Sequence, residues 1–188
     1  MKTSEIERLF ERIQRISKEI EQKYGPGFQR NALFPDGMSV TYKFTNLKAP
    51  EQLEDDVTNL CIWVWNLKDY LKTMAVSHGK TAQLVETTVD SDPYLPICAD
   101  LANKLKHGNL KKSRSGKFPE MGRLEYTLPH TALNSLTFKE AEVEFDVATP
   151  DSVEITVPVY DNTGKLLGDT LEILEQGIIS WEKFFTTL

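Results

Sequence analysis

Apolar residues recur at Ile6, Leu9, Ile13, Ile16, Ile20 and Tyr24, spacings of three and four that keep one stripe on one side of a helix. The pattern predicts an amphipathic helix of about six turns. Ser4 is placed to cap it, and Gly25-Pro26-Gly27 to end it. The period then lapses, and Ser39–Phe44 (SVTYKF) reads as a short strand on its β-rich composition. It returns at Leu53, Val57, Leu60, Val64, Leu67 and Leu71, a second long helix ending near Ala75, with Trp63 and Trp65 on different faces as packing residues. Residues 76–91 read as a polar connection. Asp92-Pro93 then opens a third helix with Tyr94, Ile97, Cys98, Leu101 and Leu105 on its apolar side, stopped by Gly108.

Beyond residue 120 the period changes from 3.6 to 2. Leu124–Leu128, Val143/Phe145/Val147 and Val153/Ile155/Val157/Val159 alternate with polar neighbours, as half-buried antiparallel strands do. Asp161-Asn162-Thr163-Gly164 supplies a turn joining 152–160 to 165–173 as a hairpin. Pro158 cannot donate to a ladder, which places its strand at an edge or at a bulge. Leu174, Ile178, Trp181, Phe184 and Phe185 form a last helical stripe over 174–188. The expected fold is therefore α+β in a single domain, 1–188. An antiparallel helical bundle, three helices in 1–110 plus the C-terminal helix, carries a small antiparallel β-meander (120–173) before that last helix.

Composition narrows the function. The chain has 188 residues, 40% of them hydrophobic, and a net charge of −6, which fits a folded domain and not a disordered tail. No apolar run approaches the roughly 20 residues of a spanning helix. The charged N-terminal stretch is expected to be neither a secretory signal nor an anchor. Cys61 and Cys98 are phased toward the core and form no framework, so free thiols in a reducing, cytoplasmic setting are expected. His78, His107 and His130 lack metal-ligand spacing, and Gly79-Lys80-Thr81 lacks the upstream glycine of a phosphate loop, so neither metal nor cofactor is expected.

Charge is unevenly spread. Residues 101–119 contain Lys104, Lys106, Lys111, Lys112, Arg114 and Lys117 and no acid, whereas 140–188 hold eleven acids and two lysines. The basic segment reads either as a solvated flexible loop or as a phosphate-contacting arm. Opposite charges also suggest a protein partner, or a second copy held by salt-sensitive contacts. On the third helix Asp100, Asn103, Lys104 and His107 share a face. They are either an ordinary solvated face or a set able to bind phosphate or move a proton. Helix phasing about the 76–91 connection puts Asp56 or Asn59 opposite His107, and Lys68 opposite Asp100.

Trp65–Lys72 (WNLKDYLK) on one helix and Asp100–His107 (DLANKLKH) on the next resemble a loose group of bacterial helical-bundle proteins with Asp-x-x-Asn-x-x-Lys-His. More distantly they are similar to HEPN domains. The resemblance covers roughly residues 53–110. It implies a helical bundle with an RNA- or nucleotide-binding role, in a toxin–antitoxin or antiphage setting. His107 matches the family His, but the family Arg has no counterpart, since Asp100, Leu101 and Ala102 stand seven, six and five residues before it. If the chain cleaves RNA, the reaction is metal-independent: His107 takes a proton from a 2′-hydroxyl and Lys106 stabilises the phosphorane charge, with Asn103 and Asp100 beside them. The competing reading, favoured by the missing Arg and the acidic strands, is a non-enzymatic protein–protein interaction module.

Overall fold

The computed structural model describes residues 3–188 and is α+β. Helix α1 (Thr3–Glu21) buries Ile6, Phe10, Ile13 and Ile20. Ser4 lies inside this helix, and Tyr24 falls beyond its end, 70% exposed. A Cβ on Gly25 would stand 2.6 Å from Lys48 Cα, so glycine lets the chain leaving α1 run against the segment that precedes the second helix.

Strands β1 (Phe28–Leu33) and β2 (Ser39–Thr45) form a hairpin ahead of α2 (Pro50–Ser77), a helix buried along most of its length. Residues 82–91 are not a loop but a further helix, α3 (Ala82–Ser91), anchored by Val85 and Val89. Asp92 Oδ1 accepts from the Tyr94 and Leu95 amides at 2.8 Å, satisfying orphan donors at the start of α4 (Leu95–His107), which ends on left-handed Gly108.

The remaining strands are β3 (Glu120–Met121), β4 (Glu125–Thr127), β5 (Leu133–Lys139), β6 (Glu142–Val147), β7 (Glu154–Thr156), β8 (Pro158–Tyr160) and β9 (Leu166–Asp169). They do not make one meander. A four-stranded sheet has the order β1-β2-β6-β5 with β2 and β6 parallel, a three-stranded sheet the order β3-β8-β9, and β4 pairs with β7. The apolar run expected as one strand over 152–160 divides at Val157. Val157 donates its amide to Asp169 Oδ2 (2.6 Å), and β8 starts at Pro158. Pro158 thus opens a central strand, where a missing N–H costs no interior ladder bond, and a bulge follows between Val159 and Tyr160.

Helix α5 (Thr170–Phe185) begins four residues earlier than the apolar stripe, because Asp169 caps it by accepting from the Leu171 amide. Helices α1, α3, α4 and α5 all pack on α2. Trp181 Nε1 donates to Val64 O at 2.9 Å, and Gly177 lets α5 approach Cys98 on α4. The main core is built from the helices together with Val157 and Val159. A second, small cluster of Leu47, Ala132, Val147 and Val153 sits under one end of the four-stranded sheet. No described helix is long and apolar enough to cross a membrane.

Candidate functional site

The end of α4 and the loop that follows carry every residue expected to meet a phosphate, but the structure divides them. Asp100 is only 1% exposed. Its Oδ1 accepts from the Arg114 amide (2.7 Å), and its Oδ2 from Ser113 Oγ (2.6 Å), Ser115 Oγ (2.7 Å) and the Ser115 amide (2.9 Å). A buried carboxylate is tolerated where donors replace its hydration. Asp100 therefore folds the basic loop back onto α4, and its four hydrogen bonds all go to that loop and none to His107.

Arg114 is also committed. It reaches Asp90 Oδ1 (2.7 Å) and Glu86 Oε2 (2.6 Å), both on α3, and lies 5.7 Å from the centre of the Trp65 ring. Burial alone would raise the Glu86 carboxyl, but hydrogen bonds from Lys72 and Arg114 and the charges of Arg114 and Lys68 outweigh it and hold that carboxyl below its ordinary value. Burial would lower the Arg114 pKa, yet bonds to Asp90 and Glu86 raise it. The helix absent from the sequence reading thus supplies the acids that neutralise the loop's one arginine.

Lys104 pairs with Glu120 at 3.2 Å, and Lys106 Nζ donates to Asn66 Oδ1 at 2.7 Å. Lys106 is therefore held against α2. The partners expected from helix phasing are not formed: Asp56 pairs with Lys48, while Lys68 lies over the Trp65 ring and near Asp69 and Glu86. Their phasing assumed that α2 and α4 are joined by a loop, whereas α3 intervenes.

Asn103 and His107, with Asn109, Leu110 and Lys111, line an open hollow of about 460 Å³. Among the described residues the side chains of Asn103, His107, Lys111, Lys112 and Lys117 make no hydrogen bond or ion pair with one another or with other groups. Of the nine residues expected to act, the structure brings Asn103, His107 and Lys111 together. It leaves Lys112 and Lys117 exposed on the pinned loop, and it commits Asp100, Lys104, Lys106 and Arg114 elsewhere. Cys61 and Cys98 are buried; burial pushes the Cys61 thiol up to about 12 and the Cys98 thiol higher still. A thiolate nucleophile is disfavoured at both.

A second surface was missed. In the four-stranded sheet the registers put Phe28, Arg30 and Ala32 of β1, Val40, Tyr42 and Phe44 of β2, Val143, Phe145 and Val147 of β6, and Leu136 and Phe138 of β5 on one face. Phe28, Phe44 and Phe145 form a stacked ladder with centroids 4.8 and 4.7 Å apart. The opposite face is polar and carries the Lys43–Glu142, Lys139–Glu142 and Lys139–Glu144 pairs.

Among the described residues, none of these four strands contributes to the main core. Tyr126, stacked on Phe28, and the small cluster cover one end of the apolar face only. Toward the β5 edge Phe138 is 73% and Leu136 44% exposed, and the tip of the β1–β2 hairpin exposes Phe34 and Met38. The alternation in SVTYKF and EVEFDV carried this signal, but nothing in the sequence says that the apolar side goes uncovered. Comparison with protein-family models, with curated proteins and with solved structures finds no match to this chain.

Proposed function

We propose that the protein is a non-enzymatic interaction module whose binding surface is the apolar face of the four-stranded sheet. The observation that carries this reading is the part of that face outside the main core where Leu136 and Phe138 are exposed and Ala32, Val40, Tyr42 and Val143 are only half-buried. A sheet that buries neither face against a helix forgoes the main stabilisation that sheets offer. Contiguous apolar patches of this kind mark interaction sites. Free buried thiols fit a reducing, cytoplasmic setting.

The test is Phe138→Glu, with Leu166→Glu as control because Leu166 is an exposed apolar residue outside this sheet. Expressed at native level in its own cells, the wild-type chain should elute as a species larger than 21.4 kDa, and so should Leu166→Glu. Phe138→Glu should fall to the monomer position. Elution of all three at the monomer position refutes the reading.

The second reading is contact with RNA or a nucleotide phosphate, the role that the HEPN-like resemblance implies. It is supported by three unengaged lysines, Lys111, Lys112 and Lys117, on a loop that Asp100 holds in place beside Asn103 and His107. A loop ordered before binding loses less entropy on meeting a ligand than a flexible one. Fluorescence anisotropy with a labelled single-stranded RNA should show binding that weakens with salt and is lost in the Lys111/Lys112/Lys117 triple alanine variant. Arg114 is left out of that variant because its alanine would unseat the loop from α3. Absence of binding at low salt refutes the phosphate reading.

A further inference from the structure

We infer that the occupant of the apolar sheet face is a second copy of this chain, seated face to face about a two-fold axis. This rests on the proposed docking surface and names its partner. Eleven of the face positions given above include one charged side chain, Arg30, and that guanidinium is bonded to Glu51 at the start of α2. The face therefore has no net charge to select a basic, acidic or phosphate-bearing partner, and no cationic rim to meet a lipid surface.

Two chains of net charge −6 repel one another, and a neutral face is where they can meet without bringing like charges together. A two-fold contact requires the patch to complement itself, which an aromatic and aliphatic surface with no net charge can do. The sheet edge at β5 is less suited to pairing, because Lys139 and its partners Glu142 and Glu144 crowd one end of it.

Size sets the strength. Four strands about 4.8 Å apart and about six residues long give a footprint of roughly 20 by 20 Å. Two such faces, less the end that Tyr126 and the small cluster cover, bury less than about 1,000 Å², below the usual range for a stable dimer and within that of dissociable ones. The contact is hydrophobic, so raising the salt should leave it unchanged or strengthen it. A contact between the basic segment 104–117 and the acidic residues 140–188 would do the opposite.

The test is sedimentation velocity of the purified full chain from low micromolar to about 0.5 mM, a range that brackets weak association, at low and high sodium chloride. The wild type should pass from monomer to dimer with no loss at high salt. Leu166→Glu should behave likewise, and Phe138→Glu should dimerise at least ten-fold more weakly. Phe138 is largely exposed, so its replacement should leave the circular dichroism and melting curve unaltered; if it does not, Leu136→Glu on the same face takes its place. A wild type that is monomeric throughout, a dimer that dissolves with salt, or a Phe138→Glu dimer of full strength each overturns the inference. If the purified chain is monomeric while the larger species in extracts still depends on Phe138, the second copy is refuted and the docking surface stands. If neither depends on Phe138, both fall.

Discussion

Replacing Asp100 by Ala removes one carboxylate and strands four donors at once: the hydroxyls of Ser113 and Ser115 and the amides of Arg114 and Ser115. Hydrogen bonds to a charged group contribute about 1.5–3 kcal/mol each, and a stranded buried donor costs about 1–3 kcal/mol. Four such bonds would sum to several times the observed range for single substitutions, but two terms reduce the total. The buried carboxylate itself carries a desolvation cost of several kcal/mol that the alanine no longer bears, and the loop can open to water, since its donors are half-buried. A loss of about 3 kcal/mol follows, close to the upper end of ordinary single-site effects.

For a chain of this size that lowers the melting temperature by roughly 6–12 °C. Asp100→Asn keeps an acceptor toward Oδ2, where three of the four bonds converge, and sets an amide donor against the Arg114 N–H. Its cost should be less than half that of the alanine. The assay is thermal melting followed by circular dichroism, combined with hydrogen exchange at the Arg114 and Ser115 amides, which should speed up in both variants and more in alanine. An alanine variant that melts within about 1 °C of wild type, with both amides as protected as before, would refute the account of Asp100 as the anchor of the loop.

Two further predictions concern the contacts around this anchor. A Cβ at Gly177 would lie 2.9 Å from Cys98 Sγ, so Gly177→Ala should destabilise by about 1–2 kcal/mol: overpacking costs about 1–3 kcal/mol and the better helix propensity of alanine returns up to about 1 kcal/mol. Adding Cys98→Ala should recover much of the loss in a double-mutant cycle, and a Gly177→Ala variant as stable as wild type refutes the close contact. Because the Glu86 carboxyl is held below its ordinary value, the native state binds its proton less readily than the unfolded chain. The stability it contributes is present above the unfolded value near 4.5 and is lost as pH falls through the lower folded one. Glu86→Gln should therefore cost about 1 kcal/mol at neutral pH, a cost that shrinks as the pH falls below the ordinary carboxylate range; a difference from wild type that does not change with pH refutes the assignment.

What the sequence disclosed depended on whether a residue's surroundings lie close to it along the chain. The long helices and the Asp161–Gly164 turn are local, and their stripes and turn residues announced them. Helix α3 was missed because Val85 and Val89 are its only buried anchors, and Thr87 and Thr88 are poor helix formers. Asp100 and His107 lie on one line of α4, two turns apart, and the sequence gives no reason to separate them. Their fates differ because the 113–115 loop folds over Asp100 and leaves His107 in solvent, a choice made by serines that come later in the chain. The parallel pairing of β2 with β6 joins residues about a hundred positions apart, and no period within either strand encodes its partner.

The two halves of the molecule dispose of their charges differently, and this separates the two proposed surfaces experimentally. In the basic segment, cations that looked available are committed within the molecule, Arg114 to Glu86 and Asp90, Lys104 to Glu120, and Lys106 to Asn66, which leaves Lys111, Lys112 and Lys117 of that segment for a phosphate contact. Three lysines give a salt slope of at most about three for a single strand, scaled down by incomplete counterion release. In the four-stranded sheet, charge lies on the polar face except for Arg30, which is paired with Glu51, so the apolar face has no net charge and occupancy there should be insensitive to salt. Raising the ionic strength on one sample containing RNA should release the nucleic acid and leave the protein–protein contact in place. If one salt concentration dissolved both contacts, the assignment of phosphate to the loop and of a protein partner to the sheet would be wrong.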